Sequence, residues 1–280
     1  MSAAVGAALR LAEDPEVAEA VAEAREACTR LRWHPALRRR IPEAAAESRV
    51  RGAAASGELE GARLSEAIVR DLMRGATTWH EPLDPVEAVM KGAVAATAET
   101  ELLAGLVVRS PVQALARLHT LAAADLLPPD QLGRPRQAGE DCRELTEVGA
   151  APGGADARER LRGVADLIGA MDVVPVPVVV GLVHAEILHA RPFVRANGVV
   201  ARAMERVLVR AGGLDPTGVA VTELGHGGSG GPAYLGALTA YARGDRRGVV
   251  LWLVHEASSL TRAAQAGEGV ADAVLAGRLS

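Results

Sequence analysis

The chain has 280 residues, 49% of them hydrophobic but only 2% aromatic, so Ala, Val and Leu must fill its core. That length suits one large domain or two small ones. A net charge of −4 and a pI near 6.0 exclude a general nucleic-acid binder, which needs a basic face. Of the 31 basic residues only Lys91 is a lysine, which reads as compositional bias and not as phosphate recognition. The two cysteines, Cys28 and Cys142, show neither metal nor redox spacing and point to a reduced cytoplasm. Acidic residues come early, at Glu13 and Asp14, and no basic leader precedes them, so no signal peptide is expected. The longest apolar run, 173–183, holds Pro175 and Pro177 and is too short to span a bilayer.

Residues 3–31 predict a helix interrupted at Pro15, and Trp33-His34-Pro35 breaks it. Pro42 suits the first turn of the next helix, where its missing N–H costs nothing. That helix runs to about 60; Gly52 and Gly57 weaken it and Gly61 is a routine terminator. A helix over 64–75 and a loop over 77–85 follow. Asp84 caps the stretch 86–108, with Pro85 at its first position. Ser110-Pro111 opens another helix, to about 127. Residues 137–156 are polar and Gly-rich, with only Thr146, Val148 and Ala150 alternating, and read as a mobile loop. Leu161, Val164, Ala165 and Ile168 make 157–170 amphipathic. The segment 178–190 is apolar nearly all round and should be central and buried. Beyond a short loop, Val200, Met204, Val207 and Leu208 fall on one helix face, ended by Gly212-Gly213. Residues 223–232 are too Gly-rich for regular structure. Helices over 233–243 and 248–266 complete an all-α pattern.

The loop between the two central helices reads Arg191-Pro192-Phe193-Val194-Arg195-Ala196-Asn197-Gly198-Val199-Val200-Ala201-Arg202. A tight loop feeding a helix N-terminus is an anion site in the making, because the first N–H groups of a helix lack internal partners. The stretch resembles the signature of the Fic (Fido) family, His-Pro-Phe-x-(Asp/Glu)-Gly-Asn-Gly-Arg-x-x-Arg. Pro192, Phe193, Asn197, Gly198 and Arg202 match it. Arg191 replaces the His, Arg195 the acid, Ala196 the first Gly and Val199 the first Arg. Upstream, Ser56-Gly57-Glu58-Leu59-Glu60-Gly61 resembles the family's inhibitory-helix pattern, (Ser/Thr)-x-x-x-Glu-(Gly/Asn). By that resemblance Glu60 pairs with Arg202, and Ser56 and Gly61 belong to the inhibitory element. Leu118-His119, Gly133-Arg134 with Arg136, and Tyr234, Leu238, Gly244-Asp245 and Trp252 extend the likeness along the chain.

The resemblance implies the Fic helical fold over 42–266, including an inhibitory-type helix at 42–61. An N-terminal helical extension, 1–41, and a tail, 267–280, flank it. A short β-hairpin flap is expected at 137–156, where family members hold a target protein by strand pairing. Fic proteins transfer a nucleotide monophosphate, usually AMP from ATP, to a protein hydroxyl. The family His removes the hydroxyl proton; Arg191, always protonated and without an acceptor lone pair, cannot. The family acid holds Mg²⁺; Arg195 would repel it. Ala196 disfavours the positive φ such a loop needs by about 1–2 kcal/mol.

Three functional classes stay open: an anion- or nucleotide-binding regulatory pseudo-enzyme, a nucleotidyl- or phospho-transferase of altered chemistry, and a protein-interaction module. In the first, Arg195, Asn197, Gly198 and Arg202, with Arg191, hold ATP or another phosphate ligand without Mg²⁺; solvent-facing Arg191 and Arg195 is the plainer alternative. Asn197 equally suits a helix N-cap. Among the seven His, His184 matches a structural His of the family. His189, about 200° round the helix from Arg191, reads as a packed core residue. His226 reads as a loop residue, and no His shows metal-ligand spacing, so no metal site is expected. Cytoplasmic location and no nucleic-acid or membrane partner complete the expectations; the resemblance allows an oligomer, since family members often dimerise, and leaves the oligomeric state open.

Overall fold

Helix starts are set by the residues that can satisfy free N–H groups. The structure, a computed structural model, describes residues 2–227 and 231–278; among these the chain is helical and contains no strand. The helices are α1 (Ala3–Ala12), α2 (Pro15–Arg32), α3 (Ile41–Leu59), α4 (Glu66–Met73), α5 (Pro85–Leu103) and α6 (Pro111–Ala122), then α7 (Gly154–Ile168), α8 (Val176–Ala190), α9 (Asn197–Ala211), α10 (Thr222–Gly227), α11 (Gly231–Ala242) and α12 (Arg246–Leu275). Asp14, Ser65, Asp84 and Asp245 accept from first-turn amides of α2, α4, α5 and α12. At α5 the cap is reciprocal, Glu87 reaching back to the Asp84 N–H.

α8 is the axis. Thirteen of its fifteen residues are buried, and α7, α9, α11 and α12 pack around it. α9 lies antiparallel beside it, and the loop between them carries the motif. α12 is a 30-residue helix against which α2 packs along its length. Arg246–Asp14 (2.9 Å) and Arg247–Glu16 (2.6 Å) tie one end, and Arg40 Nη1 donates to Val274 O (2.6 Å) at the other.

Three expectations change here. Residues 1–41 do not stand apart, since Val5, Ala24 and Leu31 share one hydrophobic core with α8 and α12. The boundary at 266/267 falls inside α12, because Gly267 packs against Leu31 and the backbone of Val219 and Ala220. The Gly-rich 223–232 is not irregular throughout: Thr222–Gly227 is the helix α10, and 228–230 lie outside the described residues. Gly225 is what lets α10 touch α12, since a Cβ there would sit 2.3 Å from Ser259 O.

The segment 137–156 forms no hairpin. Leu145 is left-handed (φ 52°), Gly149 has φ 97°, and a single 3₁₀ turn spans Thr146–Val148. Its carbonyls are claimed by a side chain from the motif loop and not by a strand partner.

Candidate nucleotide site and its closure

Both ends of the motif loop are left-handed: Arg191 ends α8 at φ 42° and Ala196 precedes α9 at φ 65°. Each costs a non-Gly residue about 1–2 kcal/mol, so the surroundings must hold the loop. The Phe193 ring stacks on His119 at 3.9 Å and 7°, and His119 Nδ1 accepts from the Gly133 N–H (3.0 Å). Burial pulls the His119 pKa down to about 4, so it is neutral at pH 7. Arg136 donates through Nε to Arg191 O (2.8 Å) and through Nη2 to Pro152 O (2.9 Å), while its N–H donates to Pro192 O (2.7 Å).

Asn197 is the first residue of α9, not its N-cap, which is Ala196. Its side chain closes the loop from inside. Oδ1 accepts from Phe193 N (3.0 Å), and Nδ2 donates to Phe193 O (2.9 Å) and Glu144 Oε2 (2.8 Å). Those contacts use its polar atoms within the protein.

Glu144 was not foreseen from the sequence. Its Oε1 accepts from Ala196 N (2.6 Å) and its Oε2 from Asn197 N (3.0 Å). A carboxylate from the flap therefore fills the anion position at the α9 N-terminus. Burial raises its pKa, helped by the charge of Glu60, against the hydrogen bonds from Asn197 and Ala196. Arg191 completes the lock from the other side. Its side chain is buried, and Nη1 donates to the carbonyls of Glu144 (3.1 Å), Leu145 (3.0 Å) and Gly149 (2.9 Å).

Arg202 and Glu60 meet: Nη2 lies 2.6 Å from Oε1. Arg202 Nε also donates to Ser56 Oγ (3.0 Å), and Nη2 to Ser56 O (3.1 Å). Burial opposes the Arg202 charge, but Glu60 and Tyr234 together more than offset it and the pKa is raised. A Cβ at Gly198 would sit 2.1 Å from Glu60 Oε1, so a larger residue there would have to displace that carboxylate from Arg202. Gly61, at φ 79°, ends the helix that carries Ser56 and Glu60. Glu60, Glu144, Glu147, Arg202, Leu188 and Leu238 are among the walls of a cavity of roughly 400 Å³.

The architecture is shared with solved structures. A Fic family protein from Desulfovibrio desulfuricans G20 superposes with a TM-score of 0.66 at 20% identity, over 95% of this chain and 76% of its own. Fic-1 of C. elegans (aa 134–508) gives 0.66 at 18%, over 92% and 74%. A Fic domain containing signaling protein from Bacteroides thetaiotaomicron VPI-5482 gives 0.64 at 14%, over 90% and 98%. The chain has the Fic fold. No protein-family model and no curated protein matches its sequence.

In the Fic frame, the four departures from the signature take definite places. Arg191, which stands where the signature has His, is a buried tether. Arg195, at the acid position, is exposed and borders a separate cleft with Asp141 and Arg143. It is not in the Arg202 cavity, so Arg191, Arg195 and Arg202 do not form the cationic pocket that was one of the two readings of the sequence; the solvent-facing alternative holds for Arg195 but not for the buried Arg191. Val199 is a core residue. None of the four side chains supplies a base, a carboxylate or a phosphate donor to the cavity.

Behind the motif the Fic fold here buries a polar cluster. His184 Nδ1 lies 2.8 Å from Glu205 Oε2 and its Nε2 lies 2.6 Å from Tyr234 Oη. His226 is not a loop residue: it is fully buried on α10, with Nε2 2.7 Å from the same Glu205 oxygen. The sequence spacing hid this group because its members come from separate helices. His189 is half-buried and meets Tyr241 edge-on at 6.3 Å. No described helix is long and apolar enough to cross a membrane.

Proposed function

We propose that this Fic-fold protein is a regulatory pseudo-enzyme whose nucleotide site is held shut by its own carboxylates. Glu144 carries the reading: its carboxylate takes the α9 amides that a phosphate would need. Glu60 takes the one Arg that borders the cavity, in the manner of the inhibitory helix its motif resembles. With Glu147, three acids line the cavity against one Arg, which repels a nucleotide polyphosphate. The chemistry points the same way. Loss of a general base typically costs about 10²–10⁴ in rate, and loss of Mg²⁺ several kcal/mol more, each 1.36 kcal/mol being about tenfold. Standard Mg²⁺-dependent AMP transfer is therefore not its activity. The flap, held by Arg191, remains the surface through which a target protein would engage.

The test combines ligand-induced melting shifts with incorporation of AMP from α-labelled ATP. The unaltered chain gives no incorporation and no shift with ATP, ADP, AMP or phosphate, with or without Mg²⁺. Glu60→Ala with Glu144→Ala opens the site; a ligand at ten times its dissociation constant then adds about 1.4 kcal/mol, a rise of roughly 2–3 °C. Robust Mg²⁺-dependent incorporation by the unaltered chain overturns the reading.

A further inference from the structure

We propose that His184, Glu205, His226 and Glu256 form a buried site for one divalent transition-metal ion of the zinc class. The site lies behind the motif, and none of its four residues lines the nucleotide cavity. The four residues come from α8, α9, α10 and α12, and each is at most 1% exposed. One ligand atom from each falls within 4.8 Å of all the others. Tetrahedral bonds of about 2.1 Å place ligand atoms about 3.4 Å apart. The observed separations bracket that edge: 2.8 Å for His184–Glu205, 2.7 Å for His226–Glu205 and 4.0 Å for His226–Glu256. Small side-chain rotations even them out around a central ion.

The second observation is polar atoms without partners. Among the described residues, Glu256 Oε1 and Oε2, Glu205 Oε1 and His226 Nδ1 are buried and make no hydrogen bond. Native interiors satisfy such groups, and a buried carboxylate with neither oxygen bonded calls for a cation or a proton. Glu256 can turn toward an ion without giving up any existing bond. Gly181 makes room for it, since a Cβ there would lie 2.9 Å from Glu256 Cγ.

Charge and donor type select the ion. Two carboxylates balance a dication and leave the interior neutral. Two imidazoles beside two carboxylates suit zinc and its first-row neighbours, and disfavour Mg²⁺ and Ca²⁺, which take oxygen alone. No thiolate is present. Tyr234 Oη, 2.6 Å from His184 Nε2, can accept that N–H and so present the Nδ1 lone pair to the metal, the usual outer-shell arrangement. With four protein ligands the site is closed, hence structural and not catalytic. The ion would pin α9 one turn beyond Arg202 and join four helices at one point.

The experiment uses the full chain, purified without chelators or metal-affinity resin. Elemental analysis should find about one zinc-class ion per chain, or take up one Zn²⁺ on dialysis. X-ray absorption at the metal edge should show nitrogen and oxygen neighbours with imidazole signatures and no sulfur. Chelator should lower the melting temperature and Zn²⁺ should restore it. Glu256→Gln and His226→Asn should each cut metal content at least about tenfold, whereas His80→Ala, at an exposed His, should leave it unchanged. If the variants fail to fold, the absorption spectrum and the chelator response of the unaltered chain still decide. A chain that neither contains nor takes up Zn²⁺ and whose melting ignores both chelator and Zn²⁺ overturns the proposal. So does a sulfur-bearing spectrum, or folded variants that keep full metal.

Discussion

Arg191→Ala should unfasten the flap while leaving the helical core intact. The guanidinium makes no ion pair among the described residues; its Nη1 donates to three flap carbonyls. Nη1 carries two hydrogens, so two charged bonds are counted, each worth about 1.5–3 kcal/mol. Some of that is recovered, because Nε and Nη2 are buried without partners and their desolvation vanishes with the side chain. A net weakening of flap closure by about 2–3 kcal/mol follows, or roughly 30- to 150-fold in the opening equilibrium. Cys142 reports it. The thiol is buried in the flap, 3.5 Å from Asn197 Nδ2, and reacts with a disulfide reagent only when the flap opens. Cys28 is the internal control, 1% exposed with a thiol pushed up to about 12 by burial. Arg191→Ala should speed Cys142 labelling by that factor and leave Cys28 unlabelled. Unchanged Cys142 kinetics in a folded variant would refute the tether, and equal acceleration of both thiols would mean general destabilisation instead.

Two further changes have signs that separate tertiary packing from local preference. Gly52→Ala should destabilise by about 1–3 kcal/mol, because its Cβ would lie 2.5 Å from Arg206 Nη2 and 2.6 Å from Glu223 Oε2, a buried pair that would have to shift; helix propensity alone predicts a gain of about 1 kcal/mol, so a stabilised variant in urea titration would count against the packing. The His119 pKa of about 4 lies below the ordinary 6.5, so the unfolded chain takes up that proton first. Its share of stability, up to about 3 kcal/mol, is full above pH 6.5 and is lost as pH falls toward 4; His184 and His255, also lowered to about 4, act in the same window, so His119→Gln should make the slope shallower without removing it, and identical slopes for both chains would contradict it.

The helices that build the centre of the molecule were legible because their information is local. The apolar run of α8, the stripe of Val200, Met204, Val207 and Leu208 on α9, and Asp84-Pro85 before α5 each state an element within a few residues. The Glu60–Arg202 contact was legible only through the family pattern, since 142 residues separate its members. Glu144 carried no signal: one Glu in a polar, Gly-rich loop acquires its meaning from the two amides it meets. The glycines misled in a consistent way. Gly52 and Gly57 read as weak points in a helix and Gly225 as part of an irregular segment, yet each marks a close approach, Gly57 leaving no room for a Cβ beside Met90 Sδ. The flap failed as a hairpin because Leu145 and Gly149 turn the backbone out of extension.

Glu144 can also be viewed as a ligand attached to its own receptor. A group tethered by a short flexible segment acts at an effective concentration in the millimolar range, and a tether already packed in place acts at a higher one. Every free anion in solution competes against that standing dose. An anion that would bind the bare α9 amides at micromolar levels is weakened in proportion, and one that binds them at millimolar levels is not seen at all. The loop thus sets a floor under what it can sense. Whatever loosens the Arg191 tether lowers that floor without touching a single atom of the anion site.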